Sequence, residues 1–291
     1  MEYLLHILIL IGIYVIAGVS LNLVCGYTGL LSIAHAAFYG VGAYAAALLG
    51  LRFHTPFAVS LAAGIVSAMI LGVIVGAPSL RLHEDYFVIA TFGFQVITYS
   101  VMNNWVSFTG GPLGLPGIPQ PVVFGMRISS HWGFLALTWA LAALVFVFAR
   151  TLVRSPFGRV LRAVREDEVL AQSLGKDVAR QKMTIFVVGA GLAAIAGCIY
   201  AWYITFIDPT SFTVQESIFM LAIVILGGPG NLWGSVLGAV FLVSVPEMLR
   251  FVGMPSSIAA NMRQILYGLA LVLLMMFRPQ GLIGEYELRG K

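Results

Sequence analysis

Apolar positions along this chain run in long unbroken blocks instead of alternating with polar ones. A helix rises about 1.5 Å per residue and the hydrocarbon core of a bilayer is about 30 Å thick, so about 20 apolar residues suffice for one crossing. Blocks of that length occupy Leu4 to Val24, Leu30 to Leu49, Phe57 to Ala77, Tyr86 to Val106, Trp132 to Ala149, Met183 to Tyr203 and Met262 to Phe277. Ser217 to Val245 is apolar too, but Gly227-Gly228-Pro229-Gly230 interrupts it and leaves a first piece too short to cross alone. A helical hairpin or a re-entrant pair is expected there. The pattern predicts an all-α polytopic transmembrane helix bundle of about eight spans, forming one domain over residues 1–291.

Small residues recur at four-residue spacing in Gly72/Gly76, Gly189/Ala193/Gly197 and Gly234/Gly238. That spacing lets helix backbones approach closely in lipid and implies a compact bundle. Gly26-Tyr27-Thr28-Gly29 before the small-residue run Ala34 to Gly42 echoes Gly227 to Gly230 before Gly234 to Val240. Paired Gly/Pro interruptions in two halves of a chain point to a transport pathway near the midplane, and chance similarity between glycine-rich segments is the alternative.

Composition sharpens the picture. Only 10% of the 291 residues are charged and 60% are hydrophobic, whereas soluble domains carry about 25% charged residues. A soluble enzyme is excluded. The first block lacks a basic leader and is expected to stay as a mature helix. Cys25 and Cys198 lie at or within apolar blocks and read as small buried residues, not as a disulfide or a metal site.

Charge fixes the orientation. Between Arg150 and Lys182 stand eight basic and four acidic residues, a net +4 that equals the charge of the whole chain. Short cytoplasmic loops carry the excess of Lys and Arg, so residues 150–182 are placed in the cytoplasm. The N-terminus then lies outside if the first two helices each cross fully. Within this loop Ser155 can cap a helix that starts with Pro156, and Gly175 can end it. Val160, Leu161, Val164, Leu170 and Leu174 can share one face of that helix, with the charged residues opposite. It is read either as a docking helix for a cytoplasmic partner or as a helix resting on lipid headgroups. Asp177 can cap the next helix.

Four separated segments carry a family resemblance. Ser155-Pro156-Phe157-Gly158-Arg159 with Leu161 to Glu168 and Ala171 to Gly175 resembles the coupling loop of LivM-type permeases, subunits of branched-chain amino acid ABC importers. Asn22 to Phe38 is similar to the N-terminal signature of that family, and Leu226 to Gly234 and Phe277 to Leu282 match later blocks in the same order. The resemblance implies a subunit that pairs with a related, LivH-like permease in a bacterial-type inner membrane. Two cytoplasmic ATPase subunits would supply energy, with ATP and Mg bound there and no cofactor in this chain, and a periplasmic binding protein would deliver substrate. It implies Pro156, Arg159, Arg162, Arg165, Glu166, Asp167, Glu168 and Gly175 as ATPase-coupling residues. The Glu-Ala-Ala…Gly pattern of many such loops is only loosely present, which leaves open which acid meets the ATPase. Related permeases also carry urea, short amides and aromatic acids, so the family alone does not choose the substrate.

The residues agree with that division of labour. No G-x-x-x-x-G-K-[ST] phosphate loop is present, and no extramembrane segment is long enough for a binding domain. Neither a metal nor a nucleic acid is expected. Polar side chains within the spans, Asn22, His35, Thr91, Gln95, Asn103 and Asn104, are candidates for the translocation lining, with interhelical hydrogen bonding as the alternative. Asp208 and Glu216 are placed in an external loop, where they could meet the binding protein or simply hold water. A self-sufficient secondary transporter or channel is the rival reading, weakened because no Asp or Glu falls in the middle of a clear span. A membrane-embedded enzyme would have only His83-Glu84-Asp85 as a compact site, which reads more simply as a polar turn.

Overall fold

The computed structural model describes residues 2–82, 84–123, 126–251, 268–269, 276 and 281–283. In chain order the helices are α1 (Glu2–Thr28), α2 (His35–Phe53), α3 (Phe57–Ser79), α4 (Glu84–Asn104), the single turn α5 (Val106–Thr109), α6 (His131–Arg154), α7 (Pro156–Glu166), α8 (Glu168–Ser173), α9 (Val178–Ile204), α10 (Val214–Gly227) and α11 (Leu232–Phe251). Among the described residues α1, α2, α3, α6 and α9 are long and apolar enough to cross a membrane. The pair α10 and α11, bent by 120° at its break, adds a sixth candidate. The block Tyr86 to Val106 corresponds to α4, which is not among those five. Met262 to Phe277 lies outside the described residues except for Gly268, Leu269 and Met276. The protein is thus a polytopic helical bundle with a broken segment where the Gly-Pro run predicts one.

Helix α1 forms the centre and buries almost every residue after Leu10. Its neighbour α9 is held against α2 and α3 by contacts that admit no Cβ. A methyl at Gly197 would overlap the Tyr39 carbonyl oxygen, and one at Gly64 would stand 2.6 Å from Cys198 Sγ. Gly189 opens onto Val24 of α1, and Gly72 onto Ala190. The same device joins α10 to α11, where Gly238 faces the Ile223 carbonyl and Gly234 that of Gly227. Close approach of this kind supplies the dispersion contacts that hold helices together where no hydrophobic driving force acts between them. Cys25 and Cys198 are both free and buried, and Cys198 Sγ hydrogen-bonds the Gly42 carbonyl at 3.3 Å. The outer helices α3 and α6 turn apolar side chains such as Val66, Ile70, Leu144 and Val147 outward, as a lipid-facing surface requires.

The long connection between α5 and α6 is tied down by short strands. β1 (Leu115–Pro116) pairs antiparallel with β4 (Phe206–Ile207), and β2 (Val122–Val123) with β3 (Met126–Arg127). Gly114, at φ 69°, lets the chain pass against the Ile207 carbonyl.

The second span differs from expectation. Helix α2 begins at His35, not Leu30, because Gly29 adopts a left-handed φ of 76° and residues 29–34 are not helical. Hydropathy cannot see this break, since Leu30, Leu31 and Ile33 are as apolar as the helix that follows. Helix α2 starts inside the bundle: its first-turn amides donate to Ser217 Oγ (Ala36 N, 2.9 Å) and Gln95 Oε1 (Ala37 N, 2.7 Å). An N-terminus buried within a bundle leaves its first N–H groups without intrahelical partners, and these side chains satisfy them.

Candidate functional site

The basic loop folds largely from its own capping residues. Ser155 Oγ accepts from Gly158 N at 3.4 Å, Pro156 occupies the first helical position, and Leu161 and Val164 are buried against the bundle. The expected single helix from Pro156 to Gly175 is instead two. Asp167 takes an extended conformation and caps α8, its Oδ1 accepting from Leu170 N at 2.9 Å. Gly175, at φ 75°, closes α8 in a Schellman arrangement, with Gly175 N to Gln172 O at 2.9 Å and Lys176 N to Ala171 O at 3.1 Å. Asp177 Oδ1 then accepts from Arg180 N at 3.0 Å and opens α9. Glu168 pairs with Lys182 at 2.5 Å, joining α8 to the start of α9.

The break at Asp167 changes which apolar residues face inward. Ala171 packs with Val164 and Val178, whereas Leu170 and Leu174, expected on the buried face, are 58% and 70% exposed and Val169 is 75% exposed. Pro156, Arg159, Val160, Ala163, Ala171, Leu174 and Lys176 line a shallow cavity of about 320 Å³ between α7 and α8. Arg162 and Glu166 are exposed, as are Asp167 and Gly175.

Arg165 alone among the arginines of α7 turns into the bundle. Its Nη1 donates to the carbonyl oxygen of Gly26, near the end of α1, and its guanidinium lies against Gly230 in the break between α10 and α11. Glu166 stands 3.6 Å from the same guanidinium. One helical turn back along α1, Asn22 clamps that break from the other side. Its Oδ1 accepts from Gly230 N at 2.9 Å, and its Nδ2 donates to Asn231 O at 2.8 Å and Ser235 Oγ at 2.7 Å. Gly281, Leu282 and Ile283 complete the cluster: Leu282 N donates to Leu226 O at 2.9 Å, Ile283 N to Gly227 O at 3.1 Å, and Asn231 Nδ2 to Ile283 O at 3.0 Å. Four segments far apart in sequence therefore meet at one end of α1. This places the N-terminus of α1 at the face opposite the basic loop.

The chain matches the family described as branched-chain amino acid transport system / permease component over residues 3–275. It is 38% identical to the high-affinity branched-chain amino acid transport system permease protein LivM of Salmonella typhimurium, over 93% of this chain and 68% of that one. The probable LivM permease of Methanocaldococcus jannaschii is 30% identical over 96% of this chain and 92% of its own. The LivH permease of Salmonella typhimurium is 26% identical over 94% and 92% respectively. No solved structure matches. This chain belongs to the branched-chain amino acid transport permease family.

In this permease the polar residues singled out within the spans divide into two groups. Four are fully buried and bond between elements. Asn22 holds the α10–α11 break, and His35 Nε2 pairs with Ser20 Oγ at 2.7 Å. Thr91 Oγ1 accepts from Ile33 N at 3.2 Å, and Gln95 joins Ala37 N to Phe212 O, the latter at 2.8 Å. Together the last three secure the entry of α2. Asn103 and Asn104 are not with them. They end α4 beside the α5 turn, where Asn104 is exposed and donates to its own helix at Ser100 O. Of the polar turn His83-Glu84-Asp85, His83 lies outside the described residues.

Glu216 is the residue that sequence reasoning misplaced. It is not in a loop but in the first turn of α10, and its Oε1 accepts from Tyr14 Oη at 2.7 Å. Tyr14 is twelve residues from one end of α1 and fourteen from the other, or about 18 and about 21 Å at helical rise. The carboxylate therefore sits at mid-depth. The signal lay in the position of Tyr14, a hydrogen-bonding side chain midway along the first span. Asp208, by contrast, remains in the connection before α10, where it accepts from Thr210 Oγ1 and Ser211 Oγ.

Proposed function

We propose that the chain is one permease subunit of an ATP-driven importer for branched-chain amino acids in a bacterial-type inner membrane. In this reading it pairs with a related permease, is driven by two cytoplasmic ATPase subunits through the α7–α8 loop, and receives substrate from a periplasmic binding protein. It hydrolyses no ATP itself. The observation that carries the reading is the two-sidedness of the loop. Its inner side is fastened by Arg165 to the end of α1, beside the α10–α11 break, while its outer side leaves Val169, Leu170 and Leu174 uncovered. Contiguous apolar surface outside the bilayer marks a partner interface. A partner seated there would push on a lever already joined to the pathway helices. Family membership and the similarity to both LivM and LivH permeases support the same assignment.

Co-purification with the partner permease, ATPase and binding protein, followed by leucine uptake into proteoliposomes, tests it. Uptake should require ATP inside and binding protein outside. The specific observation on the side of a self-sufficient carrier is the mid-depth carboxylate of Glu216, the kind of group that ion coupling uses. Leucine uptake by the purified chain alone, driven by an ion gradient, would decide for that reading.

A further inference from the structure

A carboxylate at mid-depth in a membrane bundle cannot face hydrocarbon without heavy cost, and such groups face the bundle interior or water. Glu216 is half-buried, so part of it opens out of this chain. One oxygen is engaged by Tyr14, and no other hydrogen bond to the carboxylate is seen among the described residues. Its surroundings are specific. The Tyr14 and Phe219 rings meet edge to face at 5.0 Å, both are half-buried, and Phe219, three residues on from Glu216, shares its face of α10. A carboxylate beside two aromatic rings matches an ammonium group, since aromatic faces also attract cations. Neighbouring Ser217 cannot compete for the ligand, because its hydroxyl is buried against Ala36 N and Gln95.

We propose that Glu216 lines the translocation route, where its carboxylate, with Tyr14 and Phe219, takes the ammonium group of the passing amino acid. This rests on the importer reading and assigns a substrate-contacting residue within it. The route runs along the open side of α1 and α10, where the neighbouring permease completes its wall. Ser217, Gln95 and Thr91 then serve to hold α2 and α10 in register around it and are not themselves contacts.

Two measurements on the assembled transporter in proteoliposomes test the assignment. Glu216→Gln keeps the size and the acceptor for Tyr14 but removes the charge. ATP-dependent leucine uptake should fall about tenfold or more, a barrier change of about 1.4 kcal/mol, while ATPase stimulation by the leucine-loaded binding protein persists. Glu216→Asp should restore part of the uptake. Glu216→Cys should react with a membrane-impermeant cationic methanethiosulfonate and react more slowly during leucine turnover, against a wild-type control whose Cys25 and Cys198 are fully buried. Wild-type uptake by Glu216→Gln, or a thiol in the Glu216→Cys variant that only a lipid-soluble maleimide reaches, overturns the proposal. Absence of ATP-dependent uptake by the unmodified complex would overturn the importer reading instead, and the labelling would still show whether the carboxylate faces water.

Discussion

Arg165 of α7 donates to the carbonyl oxygen of Gly26 at the end of α1, joining the loop outside the bilayer to the central helix of the bundle. The same guanidinium occupies the space that a side chain at Gly230 would need, so Arg165 is bonded to the α1 terminus and packed beside the α10–α11 break. A planar guanidinium can lie flat beside Gly230 while one N–H bonds Gly26, an arrangement that a lysine ammonium on a flexible stem does not reproduce. Arg165→Lys should therefore insert and assemble normally, yet lower leucine uptake per ATP hydrolysed. A loss of about tenfold corresponds to about 1.4 kcal/mol of coupling. The ratio of transport to ATPase rate in proteoliposomes checks it, and an unchanged ratio would remove Arg165 from the transmission path.

Asn22 makes two hydrogen bonds to the break beside which Arg165 lies, to Gly230 N and Asn231 O, and a third to Ser235 Oγ of α11. Removing it strands Gly230 N and takes the donor from buried Ser235 Oγ, while Asn231 O keeps its bond from Ser235 N, and a stranded buried polar group costs about 1–3 kcal/mol, though interhelical bonds in membranes average less. Asn22→Ala should destabilise the protein by about 1–3 kcal/mol on that basis. Asn22→Asp, which keeps the acceptor for Gly230 N, should do less damage to the break geometry but brings a buried charge. Thermal unfolding in detergent ranks the two against wild type.

The architecture was legible where one signal dominated. Long apolar blocks placed α1, α3, α6 and α9 within a few residues, and Gly227 to Gly230 announced the bend. The misses share a cause: each turns on one residue whose role hydropathy does not encode. Gly29 ends a helix inside an apolar run. Asp167 sits in an acidic stretch and reads as charge, yet acts as an N-cap and rotates Leu170 and Leu174 outward. Glu216 opens a helix at mid-depth, where an approach based on apolar length assigns it to the preceding loop. The blocks Asn22 to Gly29, Leu226 to Gly234 and the α7 loop could be recognised one by one, but their meeting around Arg165 is a tertiary fact that no local pattern carries.

Two glycine substitutions on different helices should separate close packing from helix propensity. At Gly197 an added methyl collides with the Tyr39 carbonyl, whereas at Gly93 nothing lies within 4 Å. Overpacking costs about 1–3 kcal/mol, and more where the obstacle is backbone. Gly93→Ala should be neutral or gain up to about 1 kcal/mol from helix propensity. Melting temperatures of the two variants in the same detergent test the contrast, and a stable Gly197→Ala would mean that α2 and α9 are free to separate.

The outer face of α8 yields the sharpest separation between folding and partnership. Leu170 and Leu174 are mostly exposed, so Leu170→Ser and Leu174→Ser remove little buried area, and surface changes of that kind usually fall within about 0.5 kcal/mol of neutral. If the ATPase covers them, each becomes a buried apolar contact in the complex, where truncating a central residue costs about 2 kcal/mol or more. The double variant should therefore melt like wild type but lose its ATPase subunits in co-purification. A single variant should weaken that binding by roughly thirtyfold, the equivalent of about 2 kcal/mol. Undiminished ATPase binding by the double variant, with fluorescence quenching showing α8 resting on lipid headgroups, would instead identify this face as a membrane-surface contact and leave the motor to engage α7 through Arg159 and Arg162.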